Sequence, residues 1–243
     1  MKQRNLAKLF NAEYKTNFKN LLVNGCSFTW NNSEEHICSW PYYLRDLMDF
    51  NNVFDCSQSG AGTNHIFNST VNELEKNIDP NDTFIIIVWS GLTRTDVIAE
   101  TSITKNWHNI SNYSFNNQYS TLSIFNSVSG NREIDKLCRQ YKLIVSADAQ
   151  IYESALKIIA LKNYLENKNF NFVFAQYQDL TNDIEILPTD MKTKLNSCFD
   201  ELISIGSHSK EFEEDGHPTP DSYLSWTKQI LIPYLLNKYP TLF

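Results

Sequence analysis

A serine and a histidine lie in short segments whose residue types are typical of nucleophilic catalysis. Ser27 directly follows a short apolar run that ends in glycine, so its hydroxyl is predicted to stand at the end of a buried strand. His217 lies near the other end of the sequence, and Asp215 and Glu214 precede it by two and three residues. A carboxylate at that spacing can hold one imidazole nitrogen while the other accepts a proton from a serine hydroxyl. The pattern predicts acyl-transfer chemistry with serine as the nucleophile.

Each of these residues also has a structural interpretation. A serine after a strand often serves as a turn residue or a helix cap, and a histidine beside acidic residues often lies in an exposed loop. His65 is an alternative base because it adjoins the glycine turn at Gly60, although its position favours one face of a helix. The catalytic interpretation therefore requires a fold that brings Ser27 and His217 together.

Strands that alternate with helices are predicted around these residues. Short buried strands are indicated near Leu21, Val53 and Val173, and the clearest strand is the continuous apolar run from 83 to 89. Segments with one apolar helical face lie at 40–50, 64–78 and 151–167. This alternation predicts one α/β domain over residues 1–243, with a mostly parallel sheet covered by helices on both faces.

Glycines are scarce in this chain and gather at the predicted strand ends. Of the 7 glycines, those at 25, 60, 62 and 91 follow predicted strands, and Gly216 directly precedes His217. Turns between strands and helices often need glycine for structural reasons alone. Taken as a set, however, these glycines indicate a ligand crevice at the carboxyl edge of the sheet.

The segment from about 101 to 150 is rich in Asn and Ser and shows no sustained period. It is longer than an ordinary connection, and such connections in compact domains are often functional. We expect an insertion or lid that borders the crevice and influences the choice of substrate.

Composition and charge argue against nucleic acid or an anionic membrane surface as a partner. The formal net charge is -7, the sequence pI is near 5.2, and no Lys/Arg run of the kind that binds nucleic acid or anionic lipid is present. The sequence shows neither a signal-peptide pattern nor an apolar stretch of membrane-spanning length, so a cytoplasmic or virion-associated location is expected.

The 5 cysteines contain no C-x-x-C pair, which predicts buried, reduced thiols rather than a disulfide framework or a zinc site. Composition leaves the oligomeric state open.

Four segments, in this order, resemble the blocks of the SGNH (GDSL-like) hydrolase superfamily, in particular a branch often encoded by phages and environmental bacteria. Gly25-Cys26-Ser27 resembles the serine motif after the first strand, and Ser59-Gly60-Ala61 resembles the glycine block after the second. The segment 90–94 lies where the third block belongs. The segment 215–218 (Asp-Gly-His-Pro) resembles the C-terminal acid-and-histidine motif.

The resemblance implies a three-layer α/β/α sandwich of flavodoxin-like type and a serine esterase that needs no metal or cofactor. The expected substrates are small-molecule or carbohydrate acyl esters, including O-acetyl groups. By this resemblance Ser27 is the nucleophile, His217 the general base and Asp215 the orienting acid of a catalytic triad, with Glu214 as the alternate acid.

The resemblance also implies an oxyanion hole. The backbone amides of Ser27 and Gly60 would hold the oxyanion, and the side chain of Thr93 or Asn64 would add a further donor. Two positions depart from the family pattern: Cys26 replaces the usual aspartate beside the nucleophile, and Thr93 stands where the family has an asparagine. Loss of one such donor typically costs about 10²–10³ in turnover.

Two other functions stay open, and the missing asparagine favours the first of them. One is a catalytically weak or inactive carbohydrate-binding or virion-associated module on the same fold, in which Trp30, Trp40 and Trp89 either stack on sugar rings or serve as core aromatics. The other is a nucleotide-binding flavodoxin-like protein. It is the least favoured, because the turn 60–62 has neither a following lysine nor a G-x-x-G continuation.

Overall fold

The computed structural model describes residues 11–29, 39–94, 96–100, 112–114, 119–123, 132–180, 182–214 and 216–243. Its strands are β1 (Asn20–Gly25), β2 (Asn52–Asp55), β3 (Thr83–Trp89), β4 (Asp96–Glu100), β5 (Asn112–Ser114), β6 (Tyr119–Ser123) and β7 (Asn171–Gln176). Its α-helices are α1 (Trp40–Leu47), α2 (Thr63–Leu74), α3 (Arg132–Ile144), α4 (Ala147–Asn167), α5 (Thr189–Asn196), α6 (Ile205–His208), α7 (Pro220–Trp226) and α8 (Ile232–Lys238). A 3-10 turn covers Asp183–Ile186, and a π-helical segment, Thr227–Leu231, joins α7 to α8.

Four parallel strands form the main sheet in the order β2-β1-β3-β7. In this register Val23 lies beside Ile86, and Ile86 lies beside Val173 on the other side of β3. These strands are the four that the sequence predicts, and their parallel pairing confirms the predicted α/β class. All seven residues of β3 are buried, as expected for a central strand with helices on both faces.

The helices form two layers, one on each face of this sheet. The chain moves from β1 to β2 in one direction and then returns past β1 to β3, so right-handed connections place α1 and α2 on opposite faces. Helix α2 packs against α4, whereas α1 packs against α7. The result is a three-layer α/β/α sandwich of flavodoxin-like type, as predicted.

Three short strands form a second, antiparallel sheet in the order β4-β6-β5. The predicted insertion at 101–150 therefore contains regular structure in its described parts, namely β5, β6, α3 and the first turn of α4. Strands of three to five residues with many polar side chains give no clear period in the sequence. A role for this segment as a lid stays a prediction.

Helix α4 begins earlier than its apolar pattern indicates. The Ser146 side chain accepts a hydrogen bond from the backbone N–H of Ala149 at 3.1 Å and so caps the helix, which begins at Ala147, four residues before the predicted start at Ile151. Residues 147–149 are exposed and Gln150 is half-buried, so no buried residue in the first turn marks the helix. In the described parts of the chain, no helix combines the length and apolar character needed to cross a bilayer.

The central strand should dominate the stability of the domain. Ile86 is fully buried, so Ile86→Ala is expected to lower the free energy of unfolding by about 2–5 kcal/mol through lost burial and a cavity. Leu156 on α4 is 46% exposed, and Leu156→Ala is the matched control with an expected change below about 1 kcal/mol. Urea denaturation of both variants measures the difference. Equal losses would contradict the assignment of β3 as the centre of the core.

Candidate active site

All four strands of the main sheet end at the same edge because they run parallel. Gly25 of β1 lies beside Val88, and Trp89 at the end of β3 lies beside Gln176 of β7. The segments that follow these strands therefore meet at one crevice, where open α/β sheets bind ligands. This edge contains Ser27, the turn at Gly60, the segment 90–94 and Tyr177.

Ser27 lies in the turn that follows β1 and is half-buried. The turn is closed by a hydrogen bond from the backbone N–H of Thr29 to the carbonyl oxygen of Cys26 at 2.9 Å. Burial raises the pKa of the Cys26 thiol. Cys26 is thus a neutral, fully buried thiol, which packs like a small apolar side chain.

His217 reaches the same edge from the C-terminal part of the chain. Its ring is half-buried and packs against the ring of Phe28, the residue after Ser27, with the centroids 5.3 Å apart. A tight turn presents it: Gly216 has a φ of +83°, and the N–H of Glu213 donates to the carbonyl oxygen of His217 at 2.7 Å. A left-handed φ favours glycine, which explains the Gly-His pair.

Of the two predicted acids, only Glu214 lies in the described part of the chain, and both acid roles stay predictions. Asp215 lies outside the described residues, so its role as the orienting acid stays a prediction. Glu214 is exposed in the turn that precedes His217, and its role as alternate acid also stays a prediction.

The predicted oxyanion donors lie near the start of α2 and after β3. Gly60 occupies the turn before α2 with a φ of 73°, and Thr93 is half-buried in the turn that follows β3. The Asn64 side-chain amide donates to the carbonyl oxygen of Asp96 at 2.5 Å. That bond uses one of the two amide hydrogens of Asn64, so part of its hydrogen-bonding capacity fastens α2 to β4. The oxyanion roles stay predictions.

His65 has surroundings that do not suit a general base. It is 1% exposed, and its Nε2 lies 3.0 Å from the carbonyl oxygen of Cys56. Burial lowers the pKa of His65 to about 4, so the ring is neutral near pH 7. Of the two histidines considered as the base, His217 is therefore the better match to that role.

A buried asparagine that sequence reasoning missed joins β1 to α2. The Asn24 side-chain amide donates to the hydroxyl oxygens of Ser69 and Thr70, both at 2.8 Å, and its Oδ1 accepts from the N–H of Gly25 at 2.8 Å. Asn24 is fully buried, and a buried amide must have such partners. A polar residue inside an apolar strand, directly before the glycine, was the available signal.

Asp96 caps α2 from the start of β4, which sequence reasoning also missed. Its carboxylate accepts hydrogen bonds from the backbone N–H groups of Gly62 at 2.8 Å and His65 at 2.9 Å. Burial raises the pKa of Asp96 to about 7, against the opposing effect of these two N–H donors. A Cβ at position 62 would overlap the carbonyl oxygen of Arg94, so only glycine allows this close approach. The turn that carries Gly60 is held in place by this cap.

An aromatic and cationic cluster borders Ser27 on the side of β7. The Tyr177 ring packs edge-on against the Phe28 ring with the centroids 5.0 Å apart, and the Arg94 guanidinium carbon lies 5.1 Å from the centroid of Tyr177. Burial raises the pKa of the Tyr177 hydroxyl, so the phenol is neutral. Tyr177 directly follows β7, and this position was the signal that could have identified it.

The tryptophans that the structure describes near this edge belong to the core. Trp40 packs against Trp226 with the ring centroids 5.8 Å apart, and Trp89 packs against Phe174 at 5.4 Å. Both Trp40 and Trp89 are fully buried, so neither presents a face for a sugar ring. Trp30 lies outside the described residues.

Other features of the described residues do not point to a second centre. A cavity of about 320 Å³ lies near the start of β7, away from the strand ends that carry Ser27. Its charged groups pair with one another, Lys238 with Asp200 and Lys162 with Glu166. Within the described ranges, no group of three or more His, Cys, Asp or Glu side chains is arranged to hold a metal ion.

Comparisons with known proteins return no match, either among protein-family models or among curated proteins. Functional inference therefore depends on the residues at the carboxyl edge of the sheet.

The Asp96 cap gives a stability prediction. Asp96→Ala leaves two buried backbone N–H groups without their acceptor, so it is expected to lower the free energy of unfolding by about 2 kcal/mol or more. Asp96→Asn keeps a side-chain oxygen at the same place and should cost clearly less. Urea denaturation of the two variants compares them at one pH. Equal destabilisation would contradict the capping role.

The same residue gives a prediction about pH. The pKa of Asp96 is about 7 in the folded protein and 3.8 ordinarily, so the folded state binds more protons between these values. The contribution of Asp96 to stability must then decrease as the pH rises from about 4 to 7. Asp96→Asn lacks this titration, so its stability relative to wild type should rise by about 1 kcal/mol or more between pH 4.5 and 8. A difference that does not change with pH would contradict the raised pKa.

Proposed function

We propose that this chain is a serine esterase of the SGNH type, with Ser27 as nucleophile and His217 as general base. One observation carries the proposal: the Phe28 ring, next to Ser27 in the chain, packs against the His217 ring with the centroids 5.3 Å apart. This contact supports the proposal because it brings the segments of Ser27 and His217, which are far apart in the sequence, to one edge of the sheet. Serine hydrolases require a nucleophile and a base at one site.

The proposed reaction has two halves. The Ser27 hydroxyl attacks the ester carbonyl carbon while His217 takes its proton, and the tetrahedral intermediate collapses to an acyl-serine as His217 protonates the leaving alcohol. Water then attacks the acyl-serine, with His217 again as the base, and releases the acid. Asp215 orients the imidazole in this scheme, with Glu214 as the alternate acid.

Oxyanion stabilisation in this scheme comes from the backbone amides of Ser27 and Gly60. The Gly60 turn directly precedes the N-terminus of α2, where the helix dipole favours negative charge. The Asp96 cap holds this turn through Gly62, which supports the preorganisation that an oxyanion hole needs. Thr93 or Asn64 is the proposed side-chain donor.

The proposed substrates are acyl esters of small molecules or carbohydrates, including O-acetyl groups. Because Trp40 and Trp89 are buried, carbohydrate recognition through those two rings is not part of the proposal. The nature of the acyl group and of the alcohol depends on the residues that border the crevice.

A second candidate is a non-catalytic binding module on the same fold. It is favoured by Thr93 in the place of the family asparagine, together with the engagement of the Asn64 amide by β4. Both features weaken the supply of oxyanion donors. Turnover of an activated ester separates the two candidates, because a binding module gives none.

Removal of either reacting group tests the proposal. Ser27→Ala and His217→Ala are each expected to lower kcat/KM for 4-nitrophenyl acetate by at least about 10³, because nucleophile and base act as a unit. The double variant should be little worse than either single one. Ser197→Ala and His208→Ala are matched controls that remove the same groups elsewhere. Full activity in either site variant, with the fold intact by circular dichroism, would contradict the proposal.

Restoring the family asparagine tests the oxyanion hole. Thr93→Asn places an amide donor beside the proposed oxyanion and is expected to raise kcat, with an upper limit of about 10²–10³. Thr93→Val has nearly the shape of threonine without its hydroxyl, so it should not raise kcat. Equal kcat values for the two variants would exclude position 93 from oxyanion binding.

A further inference from the structure

Arg94 lies at the candidate active site and is held there by an aromatic side chain. Its guanidinium carbon lies 5.1 Å from the centroid of the Tyr177 ring, so the cation stacks on the aromatic face. The backbone N–H of Arg94 donates to the carbonyl oxygen of Gly91 at 3.0 Å, which closes the turn after β3. An arginine stacked on a ring, with its backbone held in a closed turn, has a restricted orientation.

Two observations connect Arg94 with the turn that carries the proposed nucleophile. The positive charge of Arg94 opposes the burial that raises the pKa of Cys26, the residue before Ser27. The Tyr177 ring also contacts Phe28, the residue after Ser27, with the centroids 5.0 Å apart. Arg94 is therefore near the turn that carries Ser27, on the side of β7.

Two carboxyl groups interact electrostatically with this cluster. Asp96, which is buried and accepts hydrogen bonds from two backbone N–H groups, interacts with the charge of Arg94, and Asp183 in the 3-10 turn interacts with Tyr177. Arg94 itself is half-buried in a chain whose formal net charge is -7. The net negative charge already favours solubility, so a half-buried cation near the proposed nucleophile calls for a different explanation.

We propose that Arg94, positioned by Tyr177, binds a carboxylate group of the substrate, so that the preferred esters are anionic. This inference rests on the proposed esterase function. A guanidinium presents paired N–H donors that match the two oxygens of a carboxylate. Partial burial strengthens such a contact relative to bulk water. Arg94 thereby sets substrate specificity, and Tyr177 is its positioning residue.

Two matched pairs of esters test the proposal, since the carboxylate can belong to the acyl group or to the alcohol. The first pair is 4-nitrophenyl acetate and mono-4-nitrophenyl succinate, and the second is methyl 4-acetoxybenzoate and 4-acetoxybenzoate. Arg94→Gln is expected to lower kcat/KM for the anionic member of at least one pair about tenfold more than for its neutral partner. Lys19→Gln, which removes one positive charge from the opposite edge of the sheet, should leave both ratios unchanged.

A binding measurement tests the same contact without turnover. By titration calorimetry, wild-type protein should bind succinate or 4-hydroxybenzoate about tenfold more tightly than Arg94→Gln does, and methyl 4-hydroxybenzoate with the same affinity in both. Tyr177→Leu removes the ring on which Arg94 stacks and should give a smaller loss for the same anion. The affinity of this variant for methyl 4-hydroxybenzoate should equal that of the wild-type protein.

The outcomes separate this inference from the proposed function. If wild-type protein hydrolyses the neutral esters but Arg94→Gln changes neither ratio, the carboxylate subsite is wrong and the esterase proposal stands. Equal loss on neutral and anionic esters would also overturn it, because Arg94 would then act on the reacting centre or on folding. If no ester is hydrolysed while anion binding depends on Arg94, the esterase proposal fails and the anion site remains.

Discussion

Strands β1 and β3 are covered by helices on both faces, and this burial constrains where polar chemistry can occur. A polar side chain inside such a strand must find hydrogen-bond partners, as Asn24 does with Ser69 and Thr70. Other polar groups are placed where the strands end. Because the four strands are parallel, their carboxyl ends share one edge, and that edge carries Ser27, Gly60, Thr93 and Tyr177.

The edge is made rigid by contacts between elements that are distant in sequence. Asp96 at the start of β4 caps α2, and Asn64 returns a bond to the same residue. The second sheet is thereby connected to the turn that carries Gly60. The Phe28 ring, which follows β1, packs against Tyr177 after β7 and against His217 in the C-terminal segment. The proposed nucleophile and base thus share one aromatic neighbour.

The main sheet was predictable because a strand buried on both faces is a continuous apolar run. Ser27 after a strand and His217 beside acidic residues and glycine were candidates from the sequence, and the structure places both at the carboxyl edge of the sheet, while their catalytic roles stay predictions. The other features of the site depend on contacts that have no local sequence pattern. Asp96 caps α2 through residues that are 34 and 31 positions away in the sequence, and Arg94 contacts Tyr177 only because β3 and β7 pair. The short strands β4 to β6 have no clear period, so the sequence showed only an unassigned segment. Asp215 lies outside the described residues, so the orienting acid stays a prediction from the sequence.

The central claim is that Ser27 is an activated nucleophile, and covalent labelling measures this most directly. Folded protein is treated with a fluorophosphonate, which phosphonylates activated serines, and the modified peptide is mapped by mass spectrometry. The account predicts one label on Ser27 and strongly reduced labelling in His217→Ala, because the imidazole must take the serine proton. An unlabelled Ser27, or a label on another serine, in protein that remains folded would contradict the account.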